Sequence, residues 1–386
     1  MLSEDQNIFE TVSRFCDKLR PLEDIFYLEH KYNDQLIPLA KEFNILGLPV
    51  KYEYAGSELN NVQYAQAIER ISAEGSGIRT FFSGHSSLGQ KTIQRYGTEN
   101  QKKRYLIPST KGDIIFAFAL TEPEAGSEPL SMTTNYVENR SHYLLNGVKH
   151  LITNAGIADV IITFAKGPDN WVSAFLIDTK NEGIEREDLT AKMGMPTTNT
   201  GMFELNNYKL SKENLLGGKT QGWEIAKYAL LNGRLSVSAG CVGIIADCLN
   251  ESISFAKGRF QHKKEIAKHQ LIQEHLSLMK TSLESSRLMT FRAAELVDQF
   301  ELKGSEESFI RADNAVSEAK FHASNAAWDA ADRAVQIFGG RGWSFLYRPG
   351  RHLVDTRVCR IYEGTDEIMK LKIASSLLGR GFEAYS

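Results

Sequence analysis

Four short segments hold residue types that could do chemistry together. In Arg360-Ile361-Tyr362-Glu363-Gly364-Thr365-Asp366-Glu367 a single carboxylate, Glu363, stands between apolar residues and a glycine, just before a last helix. A carboxylate drawn out of water is harder to ionise and is a stronger base. Phe118-Ala119-Leu120-Thr121-Glu122-Pro123-Glu124-Ala125-Gly126-Ser127 reads as a strand that ends in a Pro- and Gly-rich loop. Hydroxyls and free backbone N–H groups there can meet a polar, electron-rich ring. Leu151-Ile152-Thr153-Asn154 is a second strand end with a hydroxyl, and Gln336-Ile337-Phe338-Gly339-Gly340-Arg341-Gly342 has glycines that let a phosphate approach the backbone. Taken singly, each has an ordinary explanation: a Glu before a helix is a cap or dipole partner, and a strand-end Thr is turn chemistry.

These segments need elements to position them, and the hydrophobic pattern changes twice along the chain. Residues 1–113 read as helices, with apolar residues at three- and four-residue spacing over Asn33–Asn44 and Val62–Ala73. From Ile114 the period becomes two, predicting strands at Ile114–Leu120, Tyr143–Leu145, Val148–Thr153, Val160–Ala165, Val172–Ile177 and Met202–Leu205, with Asn146-Gly147 as a hairpin turn. Residues 222–386 are helical again, with long runs at Leu235–Lys257 and from Ile272 to about Phe300. The boundaries 1–113, 114–221 and 222–386 therefore divide an α, a β and an α block. Strands and helices do not alternate, which disfavours a Rossmann sheet.

Composition excludes several function classes. Across 386 residues, Lys+Arg 45 against Asp+Glu 48 leaves no basic excess to attract a nucleic acid. The longest apolar run, Ile114–Leu120, is far short of the ~20 residues that span a bilayer, and the polar N-terminus is unlike a signal peptide. Four cysteines without a C-x-x-C pair read as reduced thiols of a cytoplasmic protein. His262, His269 and His275 lack metal-ligand spacing, so no metal is expected. Gly84 to Lys91 imitates a phosphate loop but has Gln90 where its lysine belongs, and Gly340-Arg341-Gly342 lacks the third glycine of a dinucleotide loop.

In this order, T-E-P-x-A-G-S, I-T-N, Q-x-x-G-G-x-G and I-Y-E-G-T resemble the acyl-CoA dehydrogenase flavoprotein family over nearly the whole chain. The resemblance implies an N-terminal all-α domain, a middle β-barrel or β-sandwich and a C-terminal four-helix bundle. It also implies one FAD per subunit in a homotetramer (or dimer) that shares its FAD sites, and an electron-transfer flavoprotein or similar acceptor. Glu363 would take the α-proton of an acyl thioester as hydride passes from the β-carbon to flavin N5. Some relatives place the base just before the arginine matching Arg234, where this chain has Gly233. Residues implied at the flavin are Phe118, Leu120, Thr121, Gly126, Ser127, Leu151, Ile152, Thr153, Thr365 and Glu367. Arg259, His269, Gln270, Gln336, Gly339 and Gly340 are implied at its adenosine diphosphate end. Arg79, Ser127, Arg234 and Gly364 are implied at the substrate.

This chain departs from the family pattern at several places. Leu151 replaces a usual aromatic, the segment after Arg259 lacks the usual Phe, Gly and Pro, and Leu231 stands where an aspartate is common. The last two keep open a carrier-protein thioester instead of acyl-CoA. Arg79, on a segment similar to that of glutaryl-CoA dehydrogenase, is either a partner for a distal carboxylate or a solvated helix cation. In the second case Phe81 and Phe82 would shorten an ordinary acyl pocket. A non-catalytic flavin-binding protein of the same fold is the remaining reading.

Overall fold

The computed structural model describes residues 4–379, 381 and 382, so positions 1–3, 380 and 383–386 of the expected outer blocks lie outside the described residues. Helices α1 (Glu4–Leu28), α2 (Leu36–Glu42), α3 (Asn61–Ser72), α4 (Ser76–Phe82), α5 (Lys91–Tyr96) and α6 (Glu99–Thr110) form the first layer. Reciprocal side-chain and backbone bonds at Asn60 with Gln63, and at Thr98 with Gln101, start α3 and α6. Between α4 and α5 the chain winds as a π-helix over Ser83–Gln90, a wider turn that recurs at functional sites.

The strands are β1 (Phe116–Ala119), β2 (Asn135–Glu138), β3 (His142–Thr153), β4 (Val160–Lys166), β5 (Val172–Asp178), β6 (Ile184–Asp188), β7 (Thr200–Ser211) and β8 (Leu215–Leu216). They follow the order β6-β7-β3-β2-β4-β5-β8, with β1 added parallel to β4. The halves meet at one pairing only, Asn135 with Lys166, so the sheet folds over on itself like a sandwich. Tyr136, Tyr143, Phe175, Phe203 and Tyr208 fill the space between the halves. The expected hairpin at Asn146-Gly147 is not there. β3 runs straight through, with a register shift between Leu145 and Gly147 against β7 and a φ of +145° at Gly147. Asn146 Oδ1 accepts the Asn207 N–H at 2.7 Å, so this Asn-Gly pair makes a bulge.

The last block packs α7 (Gly222–Gly258), α8 (Gln270–Lys303) and α9 (Glu306–Phe338) side by side. Helix α11 (Asp366–Leu378) lies on α9 as the fourth member, and α10 (Arg348–Thr356) precedes it. By length and composition α7 could cross a bilayer, but most of its apolar stretch is buried inside the protein, as befits a core helix.

Candidate active site

Glu363 sits in a tight turn between α10 and α11. It and Gly364 have φ of +57° and +102°, two left-handed residues in a row, a conformation that is strained for the glutamate. Two cations hold the turn by its carbonyls: Arg234 Nε donates to Glu363 O at 2.8 Å, and Lys320 Nζ donates to Gly364 O at 2.6 Å. The turn drives the carboxylate against α7 at Gly233, where a Cβ would lie 2.5 Å from Glu363 Oε2. That oxygen is buried and accepts no hydrogen bond. Burial pushes the Glu363 carboxyl up to about 7, with Arg234, Arg79 and Lys320 pulling the other way. Ile361, read from sequence as part of the apolar wall, is 48% exposed; Gly233 and the half-buried Tyr362 form the wall instead.

The remaining residues of this segment have visible duties. Thr365 caps α11, accepting the Ile368 N–H at 3.2 Å, and Glu367 is exposed in the first turn of that helix. The other side of the Arg234 guanidinium pairs with Asp313 at 3.1 Å.

The two strand ends meet beside one another, His150 N–H donating to Thr121 O at 3.0 Å. A second register shift, between Lys149 and Ile152, turns Leu151 outward at φ +59° and 54% exposure, while Ile152 stays in the sheet core. Thr153 is half-buried; Gly126 and Ser127 lie exposed on the following loop. The side chains of Phe118 and Leu120 belong to the core, Phe118 edge-on to Phe164. Little of either side chain is exposed.

Sequence reasoning missed what fastens this loop. Lys149 Nζ bonds Glu122 Oε1 at 2.8 Å and Leu120 O at 3.1 Å, with both side chains almost fully buried. Glu122 also accepts the N–H groups of Thr133 and Thr134. Against the effect of burial, Lys149 and these donors hold the Glu122 carboxyl down to about 2. A lone lysine in an apolar strand, with a glutamate beside a proline, was the available signal.

Helix α4 and its π-helical continuation tie the two halves of the site together. Arg79, at one end, is only 2% exposed. Its guanidinium lies over the Tyr362 ring at 5.2 Å and donates to the hydroxyls of Tyr362 and Thr80. It is therefore no solvated helix cation. At the other end, a Cβ on Gly84 would stand 3.0 Å from Asn154 Nδ2 and 3.5 Å from Thr153 Cγ2. Phe81 and Phe82 instead enter the N-terminal core, Phe82 edge-on to Phe15 and Phe81 stacked on His85.

Arg259, His269, Gln270, Gln336, Gly339 and Gly340 form a separate group. Arg259 follows Gly233 by 26 residues of α7, about 39 Å of helix. The Phe255 and Phe338 rings, stacked at 4.1 Å, join the ends of α7 and α9 there. Arg259, Gln270, Gln336, Gly339 and Gly340 are exposed, and the buried His269 Nε2 has no partner.

The acyl-CoA dehydrogenase N-terminal, middle and C-terminal domains match residues 3–113, 117–208 and 220–378. The chain belongs to the acyl-CoA dehydrogenase family. An acyl-CoA dehydrogenase of Bacillus subtilis is 36% identical over 366 residues, 94% of this chain and 94% of that protein. A Mycobacterium smegmatis glutaryl-CoA dehydrogenase in complex with FADH2 superposes with a TM-score of 0.91 at 28% identity, covering 100% of this chain and 97% of the other. The prolyl acyl carrier protein oxidase AnaB superposes with a TM-score of 0.90 at 28% identity, covering 98% and 99%. For an acyl-CoA dehydrogenase the geometry is apt. Outward-turned Leu151 next to Thr121 and Thr153 offers a flat ring one apolar face and polar edges, and the unpartnered His269 nitrogen awaits a polar group at the far end.

Proposed function

We propose that this chain is an FAD-dependent α,β-dehydrogenase of acyl thioesters in which Glu363 removes the α-proton. The observation that carries the reading is a buried carboxylate oxygen without a partner, raised to about 7 and held in a strained turn by two cations. Thr121, Ser127 and Thr153 at the strand ends would hold FAD, which when bound would supply the acceptor for hydride leaving the β-carbon. The Glu363 backbone N–H is the donor available to the thioester carbonyl, where it stabilises the enolate-like charge. An electron-transfer flavoprotein or similar acceptor reoxidises the enzyme. Four buried, unpaired cysteines support a cytoplasmic setting. Anaerobic titration with a panel of acyl-CoAs and acyl carrier proteins, followed by bleaching of the flavin spectrum, tests the reading; no bleaching by any thioester refutes it. The carrier-protein arm is motivated by Leu231, a fully buried apolar residue on α7 where a carboxylate is common in the family.

The distance between the Glu363 region and the Arg259 group supports a homotetramer or dimer whose FAD is completed by a neighbouring subunit. Arg259→Ala is therefore expected to lose flavin and assembly together, because a ligand bound across subunits stabilises both. A monomer on a sizing column that keeps stoichiometric FAD would contradict this.

The acyl group, we infer, ends in an anion. Arg79 is buried, its hydrogen-bond partners among the described residues are hydroxyls, and a desolvated guanidinium favours a bidentate carboxylate. Arg79→Met should cost a glutaryl thioester about 2–4 kcal/mol in kcat/KM while helping a neutral chain of similar length. Wild type preferring hexanoyl to glutaryl thioester, with the variant silent on both, rejects the acidic substrate.

A further inference from the structure

Lys320 lies mid-way along α9 and is completely buried. A buried ammonium is normally matched by a carboxylate at contact distance, because its desolvation is otherwise uncompensated. Here the hydrogen bond it makes is to a backbone carbonyl, Gly364 O, the residue after the base. Neighbouring Asp366 makes no hydrogen bond to it: Oδ2 accepts from Arg360 at 2.8 Å and Asn325 at 3.0 Å, and Oδ1 is buried without a hydrogen-bond partner. The charged and titratable groups around Lys320 are Asp366, Cys359, Cys241 and Glu363. Those facing Glu363 are Arg234 from α7, Arg79 from α4 and Lys320 from α9.

Resting on the reading of Glu363 as the base, we infer that Lys320 is a positioning residue that aims this base by anchoring the left-handed turn from the C-terminal side, while its charge keeps the carboxylate ionisable. Arg234 holds the first carbonyl of the turn and Lys320 the second, so the peptide between them cannot rotate without breaking one of the two bonds. That peptide fixes where the Glu363 carboxylate points. Lys320 bonds the turn at the Gly364 carbonyl, and it acts on the base through that anchor and through its charge.

The test isolates the proton step. S-acetylpantetheine carries the arm shared by CoA and acyl carrier proteins and has no β-carbon, so it can exchange α-protons but cannot give up hydride. Exchange in D2O is followed by NMR with the holoenzyme. Lys320→Met should slow exchange about 100-fold, the effect of a base misplaced by about 1 Å, with KM and flavin content unchanged. Lys320→Gln restores a donor without the charge: it should recover most of the rate, with the acid limb of the pH profile moved upward. A Met variant exchanging at the wild-type rate overturns the proposal. If that variant does not fold, the Gln variant decides, and an unmoved acid limb overturns it. Glu363→Gln exchanging like wild type, or a wild type no faster than buffer, would instead sink the assignment of the base itself.

Discussion

Glu363→Gln is expected to keep its flavin and bind acyl thioesters normally, yet to lose at least about 10²–10⁴-fold in the rate of flavin reduction. The substitution is nearly isosteric. Arg234 and Lys320 grip backbone carbonyls, which the amide leaves in place, and Oε2 has no hydrogen bond to lose. What disappears, on the proposed reading, is the proton acceptor. In the wild type the reactive form is the ionised one, so the rate should rise with pH through about 7 and level off above it. Stability has the opposite sign. A carboxyl raised from 4.5 to about 7 favours the folded state below 4.5, and that advantage is lost as pH rises through about 7. The variant should therefore melt higher than wild type at pH 8 and gain little at pH 4. A variant that reduces its flavin at a near-parental rate would show that the base lies elsewhere.

Gly233→Ala tests the wall behind Glu363. A methyl at this position would stand 2.5 Å from Oε2 and 2.7 Å from Cδ of Glu363, so the carboxylate must swing away. Alanine is also the better helix former by up to about 1 kcal/mol, and Gly233 lies inside α7. The two effects separate cleanly: thermal stability should hold or rise while the rate of flavin reduction falls about 100-fold. Activity within threefold of wild type would mean that the carboxylate is not confined by α7.

Much of this architecture could be read from residue order. The change from helical to alternating period near Ile114, and back near Gly222, matches the first strand and the start of α7. The segment around Glu363 stood out because its residues are contiguous, and the structure sets its carboxylate against α7 at Gly233. The Asn146-Gly147 hairpin was misread because local turn preference loses to pairing along all of β3 with β7. Arg79 could be placed only with α4 packed beneath Tyr362, since a helix cation reads the same in or out of solvent. Glu122 with Lys149, and Lys320 with Gly364, join residues 27 and 44 positions apart, which no local pattern reveals.

The contact between Gly233 and Glu363 also bears on how such enzymes diverge. Relatives with the base at the position before the arginine would use the same volume of space, reached from a helix in place of a turn. On the proposed reading, a lineage that moved the base from one position to the other by single steps would pass through an ancestor with both glutamates or with neither. Glutamates at both positions would crowd two carboxylates that compete for one proton. With neither, the proton has no acceptor. On that reading both intermediates are penalised, the first by the close packing of α7 against the turn, and the chain position of the base should be inherited more faithfully than the acyl group it serves.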